Sequence, residues 1–197
     1  MVKYKKTARH ICLTGFMGTG KSTIGKILAD HLQLPFVDTD KQVENSVGLS
    51  VKEIFAVKGE AFFREREAEQ IERELMDIRP KVISLGGGAL VQKSTSDLVM
   101  QKAVLIYIYS RPEKIYERIK HSTRRPLFRG EHEELNEAQA LERIRELMVE
   151  RTAGYNNADI VYDRDELDAK DVALNICTII RHDYPDLNHT DELKSTR

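Results

Sequence analysis

Residues 15–22 read Gly15-Phe16-Met17-Gly18-Thr19-Gly20-Lys21-Ser22, the spacing GxxxxGK[ST]. Glycines let a backbone turn tightly with successive N–H groups facing inward, which makes a concave anion site. Lys21 adds a mobile point charge for outer phosphates, and the Ser22 hydroxyl is a hard oxygen suited to a Mg2+ shell. Other residues could act on whatever lies opposite: Asp38 and Asp40 in DTD, Arg64 with Glu67, three glycines at 86–88, Arg124, Arg125 and Arg129, and Arg151. Each also has a plainer reading. An aspartate can cap a helix, an i,i+3 pair can be an exposed ion pair worth a few tenths of a kcal/mol, and a basic stretch can be a solvated loop.

The elements that must position these groups follow from periodicity. His10-Ile11-Cys12-Leu13-Thr14 is a strand, and Ile24, Ile27, Leu28 and Leu32 recur at helical spacing. The glycine loop therefore joins a strand to a helix whose N-terminal dipole faces the anion. A second strand, 34–37, ends in DTD, where an open α/β sheet puts its ligands; continued extension would place Asp38 and Asp40 on one side. Val43 and Val47 suit a short helix, and Ser50 could cap another carrying Val51, Ile54, Phe55 and Val57. Gly59-Glu60 breaks that pattern before a helix over 61–78 with Phe63, Ile71, Leu75 and Ile78 on one face. Strand 82–85 runs straight into Gly86-Gly87-Gly88, where a backbone must come close to a ligand or a neighbouring helix. The apolar run 103–109 suits a strand covered on both faces, and Pro112 opens a helix with Ile115, Tyr116 and Ile119. Residues 121–136 are polar and weakly periodic, a lid or a loop. A helix then carries Ala140, Leu141, Ile144, Leu147, Met148, Arg151 and Tyr155. Strand 159–162 and a helix with Val172, Leu174, Ile176, Ile179 and Ile180 close the pattern.

Five strands alternating with helices predict a three-layer α/β/α fold around a five-stranded parallel sheet. The 197 residues, 41% hydrophobic, suit a single domain over 1–182, with a polar tail over 183–197 expected to be poorly ordered. With 31 basic and 32 acidic residues the net charge is −1, so nothing global points to nucleic acid or to an anionic membrane. There is no bilayer-length apolar run and no leader pattern, and Cys12 and Cys177 lack metal-type spacing. Six scattered histidines offer no transition-metal site. A cytoplasmic monomer is the expectation.

Taken together, GFMGTGKST, FVDTD, GEAFFREREAE, SLGGGAL, RRPL and the Arg151–Asp159 segment resemble the shikimate kinases in order and approximate spacing, over about residues 9–180. The resemblance implies a P-loop NTPase fold of the nucleoside-monophosphate-kinase-like type and transfer of the ATP γ-phosphate to the 3-hydroxyl of shikimate, a step in making aromatic amino acids. It implies that Gly15, Gly18, Thr19, Gly20, Lys21, Ser22 and Thr23 hold ATP, that Ser22 binds Mg2+ and that Asp38 reaches the metal through water. Asp40 would bind the ring hydroxyls and orient or deprotonate the attacking one. Arg64 and Arg151 would clamp the carboxylate, and Gly87 would offer its N–H to a hydroxyl. Arg118 would lie against adenine, and Arg125, with Lys21, would act on the transferring phosphate, within a substrate-binding helical region at about 38–78 and a lid at about 121–136. Arg124 is an extra basic residue before Arg125, RTAGY lacks the proline the family often has after Arg151, and no residue is assigned in the weakly matched stretch 163–165.

Other functions stay in view. An NKxD base-reading motif and a DE pair after an apolar strand are both missing, which weighs against a guanine switch and an ATPase motor. A kinase for gluconate or a nucleoside monophosphate would use the same scaffold, and a nucleotide-dependent binding module would keep the loop without turnover.

Overall fold

The computed structural model describes residues 8–120 and 135–188. Arg124, Arg125 and Arg129 lie outside the described residues, as do residues 121–134 of the lid expected at about 121–136, and residues 189–197. Five parallel strands form the sheet: β1 (His10–Thr14), β2 (Phe36–Asp38), β3 (Val82–Ser84), β4 (Ala103–Tyr109) and β5 (Ile160–Asp163), in the order β2-β3-β1-β4-β5.

Alternation along β1 divides the core. Ile11 and Leu13 point to one face, where Val104, Ile106 and Ile108 of β4 meet Ile24 and Leu28 of α1 (Lys21–Leu32) and Ile176 and Ile180 of α7 (Ala169–Asp183). Cys12 points to the other face, with Leu105, Ile83, Ile71, Leu75 and Val99. The two faces together explain why β4 reads as an unbroken apolar run. Cys12 and Cys177 are buried free thiols.

Three elements frame the cleft. α2 (Thr39–Val47) starts directly after β2, with Asp38 as N-cap accepting from the Lys41 N–H at 3.2 Å. The chain is thus not extended through Asp40; it turns into a helix, and Asp40 sits in the first turn. α3 (Val51–Met76) begins in a capping box, with the Ser50 N–H bonded to the Glu53 carboxylate at 2.8 Å, and bends at Gly59, whose φ of 82° interrupts the helix. α5 (Pro112–Ile119) and α6 (Glu137–Tyr155) pack Ile115, Ile119, Ile144 and Leu147 around Phe16 of the glycine loop.

Several expectations change here. Val57 and Ile78 are not core residues: they are 69% and 74% exposed, Val57 because it lies on the outer face before the bend, Ile78 because the helix has already ended at Met76. α4 (Lys93–Lys102) has no counterpart in the sequence reading, since only Val99 among its buried residues is aliphatic, the others being Thr95 and Ser96. The tail starts later than 183. α7 runs to Asp183, and a 3-10 turn at Pro185–Asn188 docks Leu187, 3% exposed, into the core beside α7.

Candidate active site

At the C-terminal ends of the strands lies a cleft of about 740 Å3, lined by the glycine loop on one side and by α2, α3, residues 84–88 and α6 on the other. The loop side is made of backbone. Gly18 and Gly20 have φ of 83° and 85°, and Gly20 caps α1 without any side-chain bond, so the first N–H groups of the helix are left for a ligand. Lys21 Nζ donates to the carbonyls of Gly15 and Phe16 at 2.8 and 3.1 Å, which folds it over the loop. Ser22 Oγ donates to Asp38 Oδ2 at 2.5 Å, placing a hydroxyl and a carboxylate side by side. Gly18, Gly20, Lys21, Ser22 and Thr23 line the cleft. Gly15 and Thr19 shape the loop from behind: the Thr19 side chain is buried and donates to the Phe16 carbonyl at 2.8 Å.

The opposite side is made of charged side chains, and the three glycines after β3 make room for them. A Cβ on Gly86 would fall 1.9 Å from Glu67 Oε1 and 2.7 Å from Asp40 Oδ1. One on Gly88 would fall 2.6 Å from Arg64 Nη2, and one on Gly87 3.1 Å from Arg151 Nη1 and 3.4 Å from the Gly15 carbonyl. Gly87 therefore stands between Arg151 and the phosphate loop. The segment is tied in place because Thr39 Oγ1 accepts from the Gly86 N–H at 3.0 Å and the Tyr155 hydroxyl donates to the Gly87 carbonyl at 2.8 Å.

Arg64 and Glu67 are joined at 2.6 Å, but this is no surface pair: the Glu67 side chain is 2% exposed. Burial, only partly offset by Arg64 and added to by Asp40, pushes the Glu67 carboxyl up to about 7. Burial also raises the Asp40 carboxyl, as does Asp38, while Lys21 and Arg64 oppose the shift. The Arg151 guanidinium stacks 5.1 Å from the Phe16 ring centre, and among the described residues its buried Nη1 has no hydrogen-bond partner, nor has Glu67 Oε1.

The structure thus gathers Asp40, Arg64, Gly87 and Arg151 around one space facing Lys21 and Ser22. Arg118 lines the rim and donates to Ser110 Oγ at 2.8 Å, while Ser110 in turn donates to the buried Asp165 carboxylate. Sequence reasoning missed Glu67 as a buried group, although its place three residues after Arg64 on one helix was the available signal. It also missed Arg164, whose Nη1 reaches the Thr19 carbonyl at 2.8 Å across 145 residues, a contact with no local signature.

Comparison with known proteins gives the family and the fold. The family model described as "Shikimate kinase" matches residues 17–181. A curated shikimate kinase of Chlorobaculum parvum is 41% identical over 152 residues, covering 77% of this chain and 81% of that one. One from a Sulfurihydrogenibium species is 35% identical over 173 residues, covering 88% and 98%. The solved shikimate kinase of Acinetobacter baumannii in complex with shikimate superposes with a TM-score of 0.81 at 28% identity, covering 91% of this chain and 96% of that one.

Proposed function

The chain belongs to the shikimate kinase family, and from that premise we propose how its own residues carry the ATP γ-phosphate to the 3-hydroxyl of shikimate. The observation that carries the reading is the pair of buried polar atoms without a partner among the described residues, Glu67 Oε1 and Arg151 Nη1, beside Arg64 around Gly87 and opposite the phosphate loop. A small acid with ring hydroxyls has one carboxylate for the two guanidiniums and several hydroxyls for the remainder.

Arg64 and Arg151 grip the carboxylate with forked donors, and the Gly87 N–H serves a ring hydroxyl. Asp40, held above the usual carboxylate range by burial and by Asp38, is the group that accepts the proton of the attacking hydroxyl or orients it. Lys21 leaves its two carbonyl partners for the outer phosphates, and the backbone of residues 15–23 holds the rest of the triphosphate. Ser22 Oγ and the Asp38 carboxylate, 2.5 Å apart, suit Mg2+, which takes few protein oxygens when it arrives with phosphates. When bound, that ion would neutralise charge on the transferring group. Charge placement and orientation, rather than a covalent intermediate, supply the catalysis.

The cytoplasmic, monomeric setting belongs to the same proposal; the buried free thiols of Cys12 and Cys177 support a reducing compartment. Among the described residues no helix is long and apolar enough to cross a membrane. A coupled ADP-release assay tests the reading: shikimate should raise ADP release far above the basal ATPase rate, and no stimulation overturns it.

A further inference from the structure

We propose that Arg164 is a positioning residue for the nucleotide, acting through the phosphate loop by holding the Thr19–Gly20 peptide in the orientation that presents its N–H to phosphate. The inference rests on the reading of ATP as phosphoryl donor. Arg164 follows the last residue of β5, and its own N–H bonds to the Tyr109 carbonyl at 3.2 Å, so its backbone is an extension of the sheet. From that fixed point the guanidinium spans two loops. Nη1 donates to the Thr19 carbonyl at 2.8 Å and Nη2 to the Leu167 carbonyl at 3.3 Å. Gly20 leaves the space for it: a Cβ there would fall 2.3 Å from Arg164 Nη1.

The consequence follows from peptide geometry. In a planar trans peptide the C=O and the following N–H point in opposite directions. Drawing the Thr19 carbonyl toward Arg164 therefore turns the Gly20 N–H the other way, toward the concave side of the loop. Gly20 has a φ of 85°, a region in which glycine is loosely restrained, so an external tether has something to restrain. The Thr19 N–H and side chain are already engaged by the Phe16 carbonyl, at 3.3 and 2.8 Å. Arg164 fixes the remaining polar group of that residue, so all three polar groups of Thr19 are held. The tether is charge-assisted and half-buried, the kind of bond that restrains geometry most strongly. Arg118, the candidate base contact, is held separately through Ser110 and Asp165. The same β5–α7 loop thus serves the phosphate loop through Arg164 and the base platform through Asp165.

The test compares Arg164→Met, which keeps the stem and removes every donor, with Arg164→Lys, which restores one charged donor. In R164M the Kd for ADP and the KM for ATP should rise about tenfold, as expected for a lost charge-assisted bond. The KM for shikimate and the preference for ATP over GTP should stay within about twofold, since neither the acceptor side nor the base contact is touched. R164K should recover most of the loss. If R164M does not fold, R164Q, whose amide is too short to reach Thr19, replaces it. Unchanged ADP affinity overturns the proposal, and so does a loss of ATP over GTP preference matching the affinity loss, which would make Arg164 a base contact. ADP binding is measured without shikimate, so it reads the tether even if the wild-type chain fails to phosphorylate shikimate.

Discussion

Helix α3 carries a buried charge cluster near each end of its second half, and the two are finished differently. At the far end, Lys81 is 6% exposed and donates to Glu74 at 2.7 Å and Asp77 at 2.9 Å, while burial and then the Lys81 charge lower the pKa of the neighbouring His10 imidazole, whose two ring nitrogens have no hydrogen-bond partner among the described residues. At the cleft end, Arg64 binds Glu67 at 2.6 Å and Glu60 at 3.0 Å, yet Glu67 Oε1 and the nearby Arg151 Nη1 have no hydrogen-bond partner among the described residues. A buried charge without full pairing is expensive, so folding alone would select the first arrangement. The difference teaches that an ion pair closed on itself braces the chain, whereas one left open beside a cleft is available to a polar ligand; an orphaned buried atom alone marks no site, since His10 has two among the described residues. Both join residues three to seven apart in sequence, the cleft cluster within α3 and the far one between α3 and the connection that follows it.

The comparison can be broken or sharpened by substitution. The largest effect belongs to Asp40→Asn, which should lower kcat by about 10^2 to 10^4 while leaving Tm unchanged, because it removes a proton acceptor from the open cluster without emptying space. Near-normal kcat would remove Asp40 from the mechanism. Lys81→Met should instead destabilise the fold by about 3 kcal/mol, read by denaturant titration, with kcat/KM unaltered in the folded enzyme, since it strands Glu74 in the closed cluster. Altered substrate KM in K81M would show that the two clusters are coupled. Arg64→Ala should raise the KM for shikimate by about 10- to 100-fold with a smaller change for ATP, the value of a charged hydrogen bond. An unchanged shikimate KM would exclude Arg64 from the carboxylate grip.

The smallest effect is a pH dependence. Glu67 has a folded pKa of about 7 against an ordinary 4.5, so between those values the folded chain binds more protons than the unfolded one. Its contribution to stability therefore falls as pH rises through that window. His10, with a folded pKa below its ordinary 6.5, acts in the opposite sense and lowers stability as pH falls below about that value. Glu67→Gln should accordingly gain Tm over the wild type at pH 8 and not at pH 5. A pH-independent difference between the two proteins would place Glu67 in the ionised form throughout.

Much of the fold was legible from the chain alone. The alternating strands and helices, the continuous apolar β4 and the Ser50 cap all rest on interactions within a few residues, where spacing maps directly onto geometry. Where that mapping failed, a long-range term had taken over. Thr95 and Ser96 are buried in α4 by what covers them rather than by their own hydrophobicity, and Leu187 is held by a core that a polar stretch does not announce. Asp38 shows both regimes at once, as a helix cap read locally and as a partner of Ser22, 16 residues away.

The sequence by itself determined the donor half of the site. Residues 15–22 are contiguous, their proposed role lies in backbone N–H groups, and the positive φ of their glycines is a conformation that residue type favours. The acceptor half was decided by the tertiary structure. Whether Arg64 and Glu67 are an exposed pair or a buried one depends on Gly86, Gly88 and the packing of α3 against β3, and the Arg164 tether depends on β5 lying two strands from β1. Solvent exposure and remaining hydrogen-bond capacity are properties of the packed chain, so residue spacing cannot carry them.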